Sequence, residues 1–215
     1  LYAVEESPWG VRFLVGDVRG KGLAAVRTAA VALGAFREAA VRTPRLAEVA
    51  SEMDRSLRRE ERQRTEGAEG AENPEGEGFT TAVLGEFAPG LRTVRLVSRG
   101  HPDPYLLVAG AVRRLAVPHT GVPLGLGDLG APAPGAVGFP VPPGAVLLLV
   151  TDGVTEARNA AGEFYDPERG LRGRRFDSPD DALTAVDRDV HAWTGGPRDD
   201  DMALLALMRP PKAGR

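Results

Sequence analysis

Apolar and polar residues alternate through Val11-Arg12-Phe13-Leu14-Val15, which predicts a β-strand running directly into Gly16-Asp17-Val18-Arg19-Gly20-Lys21-Gly22. Three glycines in seven residues allow a tight backbone turn there. The Ala-rich stretch from Leu23 to about Ala40, with Val26, Val31, Leu33 and Phe36, predicts a mostly buried helix. A second helix is expected after Thr43-Pro44, a cap residue followed by proline. Leu46, Val49, Ala50, Met53 and Leu57 recur at helical spacing and leave Arg and Glu on the other face. From Glu60 to Gly78 the periodicity is lost amid Glu and Gly, so residues 60–78 read as a mobile acidic loop.

Short strands dominate the remainder. Phe79–Phe87, Leu91–Ser98, Tyr105–Ala109 and Ala111–Val117 read as a meander, with Pro89-Gly90 and Pro102-Asp103-Pro104 as turns. A Gly/Pro-rich crossing over 118–144 leaves room for one or two short strands. Ala145–Val150 is apolar on both faces, as in a central strand, and stops at Thr151-Asp152-Gly153. A last helix starts at Ser178-Pro179 with Asp181 near its third position. It carries Leu183, Val186, Val190 and Trp193 on its buried side and halts at Gly195-Gly196. Strand Met202–Met208 follows, then a frayed tail at 209–215. The order is α+β, with antiparallel sheet as the larger part.

Composition narrows the chemistry. The 215 residues carry 27 Lys+Arg against 30 Asp+Glu, a net charge of −3 that argues against general nucleic-acid binding. No cysteine is present, which removes disulfides, thiolate metal sites and thiol nucleophiles. With only three histidines, a metal would be held mostly by oxygen, pointing to magnesium, manganese or calcium. The apolar run at 145–150 is far too short for a membrane span.

Acidic residues stand at three expected strand ends: Asp17, Asp152, and the run Asp199-Asp200-Asp201 before the final strand. Taken singly, each is an ordinary turn or cap residue. Carboxylates gathered from several strand ends would repel one another unless a cation neutralised them, and paired hard cations can activate water against phosphorus. The glycine loop is not a Walker A sequence, since Gly16 to Gly20 is one residue short and Gly22 replaces the hydroxyl residue after Lys21. Gly20-x-Gly22-x-x-Ala25 fits a dinucleotide fingerprint, but a second helix follows instead of a parallel strand, which argues against that use. Ser98 lacks a nucleophile elbow, and His101, before a Pro-rich turn, reads as a structural histidine; His119 and His191 read as incidental.

Five motifs in order carry a family resemblance: Gly16–Gly22, Phe79-Thr80-Thr81-Ala82, Gly100-His101-Pro102-x-Pro104, Thr151-Asp152-Gly153-Val154-Thr155-Glu156-Ala157 and Asp200-Asp201-Met202-Ala203-Leu204-Leu205. Together they resemble the bacterial SpoIIE-type branch of metal-dependent, type 2C-like (PPM) protein phosphatases. The resemblance implies a four-layer αββα sandwich forming a single domain over 1–208, with two Mn2+ or Mg2+ ions at one end. Asp17, the Val18 backbone carbonyl, Asp152, Asp200 and Asp201 are the implied ligands. The implied reaction is in-line attack of a metal-activated water on phosphoserine or phosphothreonine. The implied partner is a regulatory phosphoprotein, in this family usually a STAS-domain anti-sigma-factor antagonist, and the helices from Leu23 to Glu60 match the family's regulatory pair.

The same resemblance frames further expectations. Leu1-Tyr2-Ala3 matches the second half of the relatives' Gly-Gly-Asp-x-Tyr-Asp opening, with Ala3 in place of its last acid. The chain is therefore expected to be a piece of a longer cytoplasmic or membrane-anchored protein with an upstream sensory domain, its first strand truncated. Arg19 stands where eukaryotic relatives place a general-acid histidine, leaving protonation of the leaving group to solvent. The competing expectation is a phosphatase-fold module that binds a partner and turns over little.

Overall fold

The computed structural model describes residues 1–67, 79–130, 132–196 and 201–211. It opens with β1 (Tyr2–Ser7), which pairs antiparallel with β2 (Gly10–Val18) across a turn at Pro8-Trp9. Then come α1 (Gly22–Arg42), α2 (Leu46–Gly67), β3 (Thr80–Phe87), β4 (Thr93–Arg99), β5 (Tyr105–Val108) and β6 (Ala111–Arg114). The Gly/Pro-rich crossing contains β7 (Val137–Pro140) and leads to β8 (Val146–Val150). Two short helices, α3 (Asp152–Thr155) and α4 (Pro167–Leu171), precede α5 (Pro179–Thr194) and β9 (Leu204–Met208).

Two compact units divide the chain. The first comprises the described residues of Leu1–Pro89, Arg95–His101 and Val117–Gly138, and the second those of Gly90–Val94, Pro102–Ala116 and Phe139–Arg215. Most of a five-stranded sheet, ordered β1-β2-β3-β4-β7, belongs to the first unit. Its helices lie over that sheet: Phe36, Ala39 and Ala40 of α1 and Val49, Met53 and Leu57 of α2 pack with Leu14, Ala82, Leu84 and Val97. Burial of this apolar stripe, at about 25 cal/mol per Å², is what holds a helix as charged as α2 in place.

The second unit holds an antiparallel sheet ordered β6-β5-β8-β9. Val146, Leu148 and Val150 turn one face of β8 to a cluster with Leu171 of α4 and Val186 and Val190 of α5. Leu147 and Leu149, on the opposite face, are equally buried, so β8 is covered on both sides as its composition predicts. Helix α5 has the expected ends. Ser178 and Asp181 form a reciprocal capping box, Pro179 occupies the first turn, and Gly195 closes the helix in the left-handed region at φ 69°.

Several expectations need correction. Periodicity alone does not mark β1, which the resemblance expects only as a truncated first strand and which runs over Tyr2–Ser7. Helix α1 is buried only from Ala32 onward; its first turns stand open, with Leu23 89% and Val26 65% exposed. Small residues give a helix no marked apolar side, so composition alone did not tell an open turn from a packed one. Helix α2 continues to Gly67, past the expected loop start at Glu60. Arg64 reaches back to Glu61 one turn earlier, at 2.5 and 3.1 Å, and such pairs sustain the helix beyond the end of its apolar stripe at Leu57. Residues 68–78 of the expected loop lie outside the described residues. In the tail, the Arg209 N–H donates to Ala145 O at 3.0 Å and its Nη1 to Val141 O at 2.5 Å, while 212–215 lie outside the described residues.

Candidate active site

In the first unit, Asp17 is the penultimate residue of β2, half-buried, directly opposite Thr81 of β3, and Val18 is opposite Thr80. The preceding glycine explains how close the two strands run: a Cβ on Gly16 would stand 2.5 Å from Thr81 O. Pairing ends with Arg19, whose N–H donates to Phe79 O at 2.9 Å before the chain turns into α1. Two of the sequence motifs meet here. A parallel bridge joins Ala82 to Gly100, and Thr81 Oγ1 lies 3.0 Å from His101 Nδ1. His101 is buried, and its ring holds the hydroxyl of Thr81, the β3 residue directly opposite Asp17. Ser98 is also buried, with its carbonyl accepting from the Gly121 N–H at 3.0 Å, which suits a structural residue rather than a nucleophile.

A buried ionic group that the sequence did not announce lies in the same unit. Asp54 of α2 accepts from the Gly125 N–H at 3.0 Å, pairs with Arg58 Nε at 3.0 Å and faces Arg99 Nη2 at 3.7 Å. Arg58 also contacts Asp128. Burial lowers the Arg99 pKa from its ordinary value, the Asp54 charge works against that shift, and Arg58 adds to it. These contacts tie α2 to the segment 121–129. Asp54 directly follows Met53 of the apolar stripe, but an acid in a helix rich in acids carries no separate signal.

In the second unit, β8 gives way to Thr151, whose N–H donates to Ala203 O at 3.1 Å and whose Oγ1 accepts from the Ala203 N–H at 2.9 Å. Asp152 then begins the four-residue α3, with Oδ1 accepting from the Gly153 N–H at 2.9 Å. Gly153 presses against the segment leading into β9: a Cβ there would lie 2.3 Å from Asp201 O. The structure thus brings the turn carrying Asp152 against the backbone of Asp201, while Asp17 and Val18 belong to the first unit. Asp200 lies outside the described residues. Among the described residues, no three His, Cys, Asp or Glu side chains form a group able to hold a metal. The candidate donors, carboxylates and one backbone carbonyl, are all oxygen, the chemistry that magnesium and manganese prefer.

Two antiparallel sheets with helices, carrying these turns at their strand ends, define a type 2C-like (PP2C) phosphatase fold, and solved structures match it. The SiaA-PP2C domain of Pseudomonas aeruginosa is 20% identical, with a TM-score of 0.75 over 96% of this chain and 79% of that one. The RsbU and RsbW domains of a Mycobacterium tuberculosis protein give 20% identity and a TM-score of 0.72, covering 99% of this chain and 55% of that one. The PP2C phosphatase domain of the cell fate determinant SpoIIE from Bacillus subtilis, with a fragment of its regulatory domain, gives 13% and 0.70, covering 100% and 59%. This chain therefore spans little more than half the length of the latter two. No curated protein matches it in sequence. The family described as Stage II sporulation protein E (SpoIIE) matches residues 7–210, and the chain belongs to it. Among the described residues, no helix is long and apolar enough to cross a membrane.

Proposed function

We propose that residues 1–208 act as one metal-dependent serine/threonine protein phosphatase domain, with Asp17, the Val18 carbonyl, Asp152, Asp200 and Asp201 holding two Mn2+ or Mg2+ ions. The observation that supports this most is the seating of Gly153 on the Asp201 carbonyl, which keeps the Asp152 turn and Asp201 together within one unit. When bound, such ions supply a nucleophilic water at neutral pH and charge to stabilise the phosphoryl oxygens. The chain's own part is positional. The short β2–β3 separation at Gly16 and the His101–Thr81 contact hold the strand end that carries Asp17, while the Thr151–Ala203 pair of hydrogen bonds holds the turn that carries Asp152.

The proposed substrate is a phosphorylated regulatory protein, with a STAS-domain anti-sigma-factor antagonist as the first candidate, in the cytoplasm and under the control of an upstream domain of a longer protein. The match to RsbU and SpoIIE domains is the support for that assignment. The test is phosphate release from a phosphoserine peptide with Mn2+ titrated in. Release should need the metal, cease with chelator, and fall on the order of a hundredfold or more in Asp17→Ala and in Asp152→Ala. Release that is indifferent to chelator and to both substitutions would reject the reading. Partner binding without metal-dependent release would leave the domain as a non-catalytic module.

A further inference from the structure

A cavity of the first unit, about 850 Å³, is lined by the glycine loop, the open first turns of α1, the far end of α2 and the segment around Leu126–Leu129. Its walls combine two features. Arg19, Lys21 and Arg27 are exposed on it, and among the described residues none of the three makes an ion pair; Arg19 only stacks on Phe79, 5.1 Å from the ring centroid. The same lining includes Leu23, 89% exposed, and Leu129, 70% exposed. Among the described lining residues the acids are Glu60 and Glu61 of α2, and Glu61 is engaged by Arg64. Large apolar side chains left in water beside unpaired cations are costly for a surface that meets only solvent.

We infer that this groove docks an acidic segment of a protein partner, a short extended peptide whose Asp and Glu residues meet Arg19, Lys21 and Arg27 and whose apolar residue covers Leu23 and Leu129. Charge complementarity selects the occupant. The three cations, in no ion pair among the described residues, call for an acid-rich sequence, and the volume suits a few residues of chain rather than a folded domain. The groove begins two residues beyond Asp17, at Arg19, so the docked segment would present its neighbouring residues to the strand end that carries the proposed catalytic carboxylate. That purpose rests on the phosphatase reading; the binding itself does not. Because all three cations are exposed, the attraction is screened by salt.

The experiment is fluorescence anisotropy of two labelled synthetic peptides, both without phosphate and both titrated with the protein in chelator. One is built from Asp, Glu and Leu; in the other, Asn and Gln replace the acids. The acidic peptide should bind at least about tenfold more tightly than the neutral one. That preference should vanish in Lys21→Glu/Arg27→Glu, shrink as salt is raised, and persist in Arg175→Glu/Arg188→Glu, an equal loss of positive charge at exposed positions of the second unit. Leu23→Asp should weaken the acidic peptide without restoring the neutral one. Circular dichroism on each variant shows that the exposed substitutions leave the fold intact. Equal affinity for the two peptides, or an undiminished preference in a folded Lys21→Glu/Arg27→Glu variant, overturns the inference. Selective binding by a protein that releases no phosphate with Mn2+ upholds the groove and counts only against the phosphatase reading. Metal-dependent release alongside charge-indifferent binding does the reverse.

Discussion

Arg12 and Glu86 stand directly opposite each other on β2 and β3, and Arg12 donates from both Nε and Nη2 to the same oxygen, Glu86 Oε2, at 2.8 and 2.7 Å. Both side chains are buried. The remaining Arg12 donors reach the carbonyls of Ala40 at 2.9 Å, Thr43 at 2.5 Å and Pro44 at 2.7 Å, and Trp9 stacks on the guanidinium at 4.5 Å. Glu86 Oε1 in turn accepts from Arg95 at 2.8 Å. One side chain thereby satisfies the C-terminal carbonyls of α1 and fixes the turn into α2 against the sheet.

A pair of this kind is costly to break from one side. Glu86→Ala strands a guanidinium in a dry site, and the expected loss is about 3–5 kcal/mol of unfolding free energy. Replacing both partners, as in Arg12→Met/Glu86→Leu, removes the stranded charge and should cost less than the two single changes added together. Urea denaturation of the parent, Glu86→Ala, Arg12→Met, Glu86→Leu and the double variant measures this. Additive losses would mean that the two residues are not coupled.

The glycine at the Asp152 turn gives a second prediction, with its own control. In Gly153→Ala the new methyl meets the Asp201 carbonyl, a backbone atom, at 2.3 Å, so the strand start must move. The expected cost is about 1–3 kcal/mol, with a matching drop in phosphate release if Asp152 and Asp201 serve one site. Gly34 lies inside α1 with nothing within 4 Å of its Cβ position, and Gly34→Ala should raise stability by up to about 1 kcal/mol. Thermal melts of both variants compare them. A Gly153→Ala protein as stable as the parent would show that the contact at Asp201 yields freely.

What the sequence made legible follows from how local each signal is. The stripes of α2 and α5 stood out because charged residues fill the rest of each helix, and β8 because its apolar run is bounded by glycine and Asp152. Asp17 and Asp152 were placed at strand ends by the same punctuation, and each stands there in the structure. Contacts between distant positions were not legible. Alternation marked β2 as a strand but put Arg12 on its polar side, whereas a partner 74 residues away lets it be buried. The His101–Thr81 contact and the Asp54–Arg99 pair have no local mark either. The open turns of α1 escaped notice for the opposite reason, since alanine suits water and core alike.

The last prediction concerns alkaline pH and two tyrosines of the second core. Burial pushes the Tyr105 phenol up to about 12, with the charges of Asp166, Glu168 and Asp103 adding to it and Arg114 opposing it. Burial raises Tyr165 as well, helped by the charge of Asp189 and by the hydrogen bond its hydroxyl donates there at 3.2 Å. An unfolded chain releases these protons near pH 10 while the folded one retains them. By linkage, their contribution is complete below about pH 10 and is lost as pH rises from there through the folded values, about 12 for Tyr105. Urea midpoints taken between about pH 8 and 11.5 should therefore fall above pH 10, and fall less steeply in Tyr105→Phe, which has no proton to lose. Tyr165→Phe should start lower, having lost its bond to Asp189, yet also descend less steeply. Curves for the parent and Tyr105→Phe that run parallel to the end of the range would rule out the buried phenol as a source of the alkaline loss.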